Sequence, residues 1–301
     1  MKTILVLGFG GTVAGVGKSN DYTSGVLNLE EVFRSVDYEK QNIRLRFDQI
    51  SDGDGVDKSG EGIMRLVSIV RSKQDLHGVD TILGPMGTDM AGSFMTACTC
   101  LRWLGIPFIG SGAQLPATAL VADGPRNISD AIMVAVHHEA YGRGAMFGFN
   151  GKIMREPSIG KKSVTSNDAF ESLPDTIGHA KDGCVYFDRS HNSYPTPILE
   201  SIDLFVPLKL PRVRIETLTH DYDPDCMKLV IELGKVKAFV FEAMGNGDCN
   251  SRRGETKNLL EEHDVIAVIW GYLPAANLEI LLKISLFAGK SRPEIEEIIR
   301  E

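Results

Sequence analysis

Residues Ile4–Gly15 read ILVLGFGGTVAG, and this stretch decides the fold. The apolar run Ile4 to Leu7 passes straight into glycines, the pattern of a strand buried on both faces that ends in a tight turn. Strands of that kind belong to parallel sheets covered by helices on each side. Thr12 stands just past the strand's carboxyl end, where open α/β sheets hold their ligands. Gly10 and Gly11 leave the backbone beside its hydroxyl open to close approach.

The chain on either side of this strand continues the alternation of strand and helix. Strands are expected at Ile43–Phe47, Asp80–Leu83, Pro107–Gly110 and Ala145–Phe149, and helices at Leu29–Val36, Ile63–Val70, Ala91–Leu104 and Ser129–His138. Val16–Leu27 (VGKSNDYTSGVL) reads as a mobile loop with one aromatic, Tyr22, and Ser51–Gly62 as an acidic, glycine-rich loop. Residues Gly112–Asn127 form a long loop, and Gly151–Phe170 is rich in charge and turn formers. The expected organisation is a larger N-terminal catalytic domain over 1–198, with a mostly parallel sheet flanked by helices. A link over 199–212 follows, where Pro207 and Pro211 interrupt apolar residues, and then a smaller, shortened α/β domain over 213–301. In that second domain strands are expected at Val213–Leu218, Ala238–Phe241 and Val265–Ile269, and helices at Cys226–Leu233, Thr256–Glu262 and Ala275–Phe287. Ser291 and Glu294 make a capping box for the last helix, with Pro293 in its first turn.

Composition narrows the function. The 301 residues, 43% hydrophobic and 24% charged, suit an ordinary globular protein with a sizeable core. A formal net charge of −8 argues against a nucleic-acid-binding surface. No apolar run approaches the roughly 18 residues that a membrane span needs. The start MKTILVLGFGG reads as a first strand with no small-residue cleavage site, so the expected location is cytoplasmic. Five scattered cysteines, Cys98, Cys100, Cys184, Cys226 and Cys249, include no CxxC pair, and reduced thiols are expected. His137 and His138 are neighbours on a helix and diverge, so neither a metal site nor a cofactor is expected.

Two phosphate-binding readings of the first turn fail on single residues. Gly17-Lys18-Ser19 ends like a P-loop, but the glycine required five positions earlier is Thr12. Gly8-Phe9-Gly10 begins like a dinucleotide fingerprint, but the third glycine position holds Val13. A hydroxyl nucleophile needs a base, a group that orients the base, and donors for the oxyanion. Gly84-Pro-Met-Gly-Thr-Asp89 offers a second hydroxyl, Thr88, beside a carboxylate, Asp89. Read alone, Thr88-Asp89 is an N-cap for the helix that follows. A lysine from elsewhere serves as base where burial lowers its pKa, and Asp89 is placed to hold it.

Together these pieces resemble the bacterial-type L-asparaginases, the two-threonine amidohydrolases, in the family's order and over nearly the whole chain. GGTVAG resembles the first signature, with Thr12, and KSNDYTSG the flap that closes over substrate, with Tyr22 and Thr23. MGTDM resembles the second signature, with Thr88 and Asp89. GAQLP with ADGPRN resembles the segment after the next strand, and GKKSVTSNDAF the catalytic-lysine segment. Counting back from Phe170 there aligns Lys161 with the family lysine and leaves Lys162 as its neighbour. GNGD resembles the glycine/asparagine turn of the second domain.

The resemblance implies an amidohydrolase that converts L-asparagine to L-aspartate and ammonia without a cofactor. Thr12 attacks the side-chain amide with help from Tyr22, and an acyl-enzyme forms and is hydrolysed. Thr88, Lys161 and Asp89 form a second linked set, and which threonine attacks first stays open. Gly11, Ser51, Asp52, Gly87, Asp89, Asn246 and Asp248 are the implied substrate-binding residues, Asp89 for the α-ammonium and Ser51 for the α-carboxylate. The implied partners are a small amino-acid amide and further copies of the chain in a dimer or tetramer, with no nucleic acid and no membrane.

Four features depart from the family pattern: Met86 replaces a histidine, Ile50-Ser51-Asp52-Gly-Asp54 stands where an Asp-Ser or Gly-Ser pair is expected and aligns in two registers, Asp248 stands where an asparagine is expected, and the chain is short after Glu262. They keep two further classes in view. One is a related amidase, glutaminase or amidotransferase subunit acting on another amide, and the other is a catalytically weak binding protein on the same scaffold.

Overall fold

The computed structural model describes residues 1–18, 21–38, 42–51, 62–63, 65–66, 68–69, 76–99, 105–155, 158–172, 176–181, 183–188, 210–245, 247–269 and 273–300. The chain divides into two compact units, Met1–Pro197 and Ile198–Glu301. Residues 199–209 of the expected link lie outside the described residues.

The first unit is built on an eight-stranded sheet. The opening run forms β1 (Lys2–Gly8), flanked on one side by β4 (Ile43–Gln49) and on the other by β5 (Thr81–Pro85), all parallel. Beyond β5 lie β6 (Phe108–Ser111) and β7 (Ala145–Phe149), also parallel, and then β8 (Lys152–Arg155), β11 (Gly178–Lys181) and β12 (Cys184–Phe187), which turn antiparallel. Burial follows position. Every residue of β5 and β7 is buried, whereas β4 at the edge alternates, with exposed residues between partly buried ones.

From β1 the chain moves outward to the edge strand β4, then returns to β5 on β1's other side. The carboxyl ends of β1 and β5 therefore form the topological switch point, where an open sheet parts its loops and leaves a crevice.

Three expected boundaries shift. Val16–Leu27 is not simply a loop: β2 (Val16–Lys18) and β3 (Asp21–Thr23) pair as a hairpin. The helix expected from Ser129 begins at Gly124, because Pro125 sits in its first turn, where a missing N–H costs nothing. The turn-rich segment before Phe170 holds β8 and the small hairpin of β9 (Ile159–Lys161) with β10 (Phe170–Ser172).

The second unit is a three-layer sandwich around the parallel strands β13 (Val213–Leu218), β14 (Ala238–Ala243) and β15 (Ile266–Ile269). Alternation along β14 sorts its faces: Phe239 and Phe241 pack with the helices Pro224–Glu232 and Arg253–Glu262, and Ala238 and Val240 with Ala275–Phe287 and Arg292–Arg300. Before the last helix, the Ser291 N–H and hydroxyl both donate to Glu294, at 2.8 and 2.7 Å. Those bonds hold its carboxyl down at about 2.

Candidate active site

Two loops leave the switch point side by side. Gly11 has φ +84°, and a Cβ built on it would lie 2.3 Å from Gly87 Cα and 2.5 Å from Gly87 N, so the two backbones touch there. Only glycine serves at Gly11, for the dihedral and for the space. Immediately after these glycines the chain presents Thr12 and Thr88, 8% and 4% exposed.

Each threonine opens a 3-10 turn, Thr12–Ala14 and Thr88–Met90. Thr88 is thus not the N-cap that its local sequence suggests. Gly87 takes that place, with no side-chain cap bond, because the helical turn starts one residue earlier. Amides at such a start have no acceptor within the helix and suit a developing negative charge.

The threonines meet different partners. Thr12 Oγ1 and Tyr22 Oη share a hydrogen bond of 2.8 Å. Tyr22 is delivered by β3, opposite Gly17 in β2. Its ring passes so close to Gly15 that a Cβ there would lie 2.9 Å from Tyr22 Cδ2. Thr88 Oγ1 instead accepts from Lys161 Nζ at 2.9 Å, and the same ammonium meets Asp89 Oδ1 at 2.6 Å. An ammonium only donates, so the Thr88 oxygen accepts and its own proton is directed elsewhere. The Lys161 side chain is 18% exposed and that of Asp89 65%, so the carboxylate reaches outward with room for a second cation.

Lys161 ends β9, and its register partner is Phe170 in β10. Lys162 points the other way, as alternation requires, and pairs with Asp168 Oδ2 at 3.4 Å. Thr12, Tyr22, Thr88, Asp89 and Lys161, with Gly11 and Gly87, are all in the first unit.

Of the implied substrate-binding residues, Gly11, Gly87 and Asp89 belong to these two loops. Ser51 lies at the end of β4 beside the end of β1, where its N–H donates to Gly8 O at 3.2 Å. Asp52 and Asn246 lie outside the described residues. Asp248 is in the second unit, exchanging backbone bonds of 2.8 and 3.0 Å with Met244 in the turn after β14.

Two positioning contacts are missed by sequence reasoning. Thr118 Oγ1 donates to Gly17 O and accepts from Gly17 N, both at 2.8 Å, clamping the strand opposite Tyr22. Asp123 accepts from the N–H groups of Gln114 and Leu115, each at 2.9 Å, and so shapes the loop that carries Thr118. A threonine in a polar loop gives no local signal for this. Asp123 stands in the quoted ADGPRN piece, but nothing there indicates its partners. Among the described residues no cluster of His, Cys, Asp and Glu forms a metal site.

Fold and site define the class: an α/β protein with paired threonines, one beside a tyrosine and one beside a lysine–aspartate pair, at the switch point of a parallel sheet. Residues 3–192 match the family described as Asparaginase, N-terminal. The chain belongs to the asparaginase family.

Among curated relatives, the glutaminase-asparaginase of Pseudomonas fluorescens biotype A is 25% identical over 256 residues, 84% of this chain and 70% of that protein. L-asparaginase 2 of Bacillus subtilis (strain 168) is 26% identical over 258 residues, 82% and 66% of the two chains. A probable cytoplasmic L-asparaginase from Campylobacter jejuni has the same fold, with TM-score 0.84 at 22% identity over 100% of this chain and 99% of that one.

Proposed function

We propose that this chain hydrolyses L-asparagine to L-aspartate and ammonia, with Thr12 as nucleophile. The observation that carries the reading is the pair of threonines side by side at the switch point, each with its own hydrogen-bonded partners, in a chain of the asparaginase family.

Thr12 Oγ1 attacks the side-chain amide carbon, and its proton passes to the Tyr22 oxygen as the phenol hands its own proton on toward the amide nitrogen. The oxyanion that forms faces the amides at the start of the two 3-10 turns. The C–N bond then breaks, the departing nitrogen takes up a proton as ammonia, and a Thr12 ester remains. Water, polarised by the Thr88–Lys161–Asp89 set, attacks the ester, aspartate leaves, and Thr12 recovers its proton. Asp89, exposed beyond its bond to Lys161, pairs with the substrate's α-ammonium, and Ser51 donates to the α-carboxylate. Gly11 and Gly87 let the substrate lie against backbone.

A second reading makes Thr88 the nucleophile, favoured by its direct contact with Lys161. Glutamine is the competing substrate within the same chemistry. The proposal extends to a homo-oligomer, dimer or tetramer, and to a cytoplasmic location. The location follows the likeness to the probable cytoplasmic L-asparaginase of Campylobacter jejuni.

The test is ammonia release from asparagine, glutamine and N-acetylated asparagine by the purified chain, beside Thr12→Ala. Release from asparagine by the wild type and not by the variant is the expected result. No release from any of the three amides would refute the activity, and equal release by both proteins would refute the nucleophile.

A further inference from the structure

Of three lysines in the first unit, Lys152 opens β8, Lys161 ends β9 and Lys162 follows it, and two carboxylates divide them. Asp89 takes Lys161, and Asp168 takes the other two: Lys152 Nζ at 2.5 Å through Oδ1, and Lys162 Nζ at 3.4 Å through Oδ2. The Lys152 bond, with Lys162 in support, holds the Asp168 carboxyl below its ordinary range.

Each bond made by Asp168 has a mechanical consequence. Lys152 opens β8, which is paired in the main sheet with β7 and β11. Asp168 lies two residues before β10, beside Ala169, whose carbonyl accepts from Lys162 N at 2.8 Å and Ser163 N at 3.3 Å. The Lys152–Asp168 pair therefore ties the end of the β9–β10 hairpin to the main sheet. Two residues further along the same segment, packing fixes the hairpin: Phe170 meets Phe147 and Phe149 edge to face, with centroids 5.0 and 4.9 Å apart. Lys161 stands across the ladder from Phe170. Aromatic packing alone fixes depth against the sheet. At the open end Ser158 and Ser172 Oγ donate to Arg155 O at 3.0 and 3.3 Å, and the ion pair holds the loop end, so that the short hairpin does not pivot.

We propose that Asp168 is a positioning residue for Lys161: by bonding Lys152 and drawing Lys162 aside, it fixes the hairpin so that Lys161 Nζ stands within hydrogen-bond reach of Thr88 and Asp89. This rests on the amidohydrolase reading for its kinetic consequence, but the placement of Lys161 is measurable without turnover. A small displacement suffices, since misplacing a catalytic group by 1 Å costs up to about 100-fold in rate.

The test compares the full-length wild type with Asp168→Asn, Asp168→Glu and Lys152→Met by two readouts: kcat and KM for asparagine, and the rate of Lys161 acetylation by acetic anhydride, read by peptide mass spectrometry. For Asp168→Asn the expected results are a kcat about tenfold lower, a KM within about twofold of wild type and Lys161 acetylated at least about three times faster. Asp168→Glu restores most of both, and Lys152→Met reproduces Asp168→Asn. Should Asp168→Asn fail to fold, Lys152→Met carries the same test. Wild-type kcat and wild-type Lys161 acetylation in the variants, with only thermal stability lowered, would overturn the proposal. A wild type that releases no ammonia refutes the asparaginase reading, and acetylation of Lys161 then decides the positioning role alone.

Discussion

The turn after β1 and the turn after β5 share a plan. In each, a glycine brings the backbone against its counterpart, and a buried threonine opens a 3-10 turn. They differ in what the hydroxyl meets: at Thr12 a neutral phenol carried on a hairpin, at Thr88 an ion pair carried by another. A nucleophile beside a charge is held in one hydrogen-bonded orientation, whereas one beside a phenol has a partner that can accept its hydrogen bond while passing a proton of its own onward. On the proposed mechanism the contrast is a division of labour, with attack at the first loop and polarisation at the second.

Substitutions on either side break the comparison in a ranked way. Thr12→Ala removes the attacking atom, and kcat for asparagine falls by about 10³-fold or more. Lys161→Met leaves Thr12 and Tyr22 in place but removes the charge from the second set. We expect a loss of about 10²–10³-fold, mainly in kcat, read by steady-state ammonia release. Gly11→Ala attacks what the loops share. Its Cβ collides with Gly87 backbone at a positive φ, so the loops separate, thermal stability falls by about 2 kcal/mol or more, and kcat falls with it. Tyr22→Phe removes a single hydrogen bond at the first loop and is the mildest of these, about tenfold to 10²-fold in kcat.

The smallest effect is one of pH, and it reads the second hairpin without mutation. The bond from Lys152 holds the Asp168 carboxyl below its ordinary 3.8. A carboxyl depressed in the folded state stabilises that state above its unfolded pKa and loses the contribution as pH falls through the folded value. Amide resonances of β9 and β10 should therefore still be moving as pH falls below about 3.8. A shift there that is complete at or above about 3.8 would contradict the hold on Asp168.

Much of this was legible in the sequence, for identifiable reasons. The central strands are buried on both faces, so β1 and β5 read as unbroken apolar runs ending in glycine. The helix Ala275–Phe287 has the bounds that its apolar run and the following Gly289 indicate. The hairpins were not legible. Gly17, Lys18 and Asp21 have no strand-like pattern, and β2–β3 is held by Thr118, about a hundred positions later in the chain. Likewise Lys161 and Thr88 are 73 positions apart, a pairing that spacing cannot reveal and resemblance could. Thr88 read as a cap because local pattern does not register that Gly87 already begins the turn.

The most direct test of the division of labour is to locate the covalent intermediate. Wild-type protein is incubated with an asparagine analogue bearing a reactive carbonyl in place of the side-chain amide, quenched in acid, digested and mapped by mass spectrometry. The account predicts a single adduct on Thr12, absent from Thr12→Ala and formed far more slowly in Lys161→Met. An adduct on Thr88 would contradict it and transfer the role of nucleophile to the second loop.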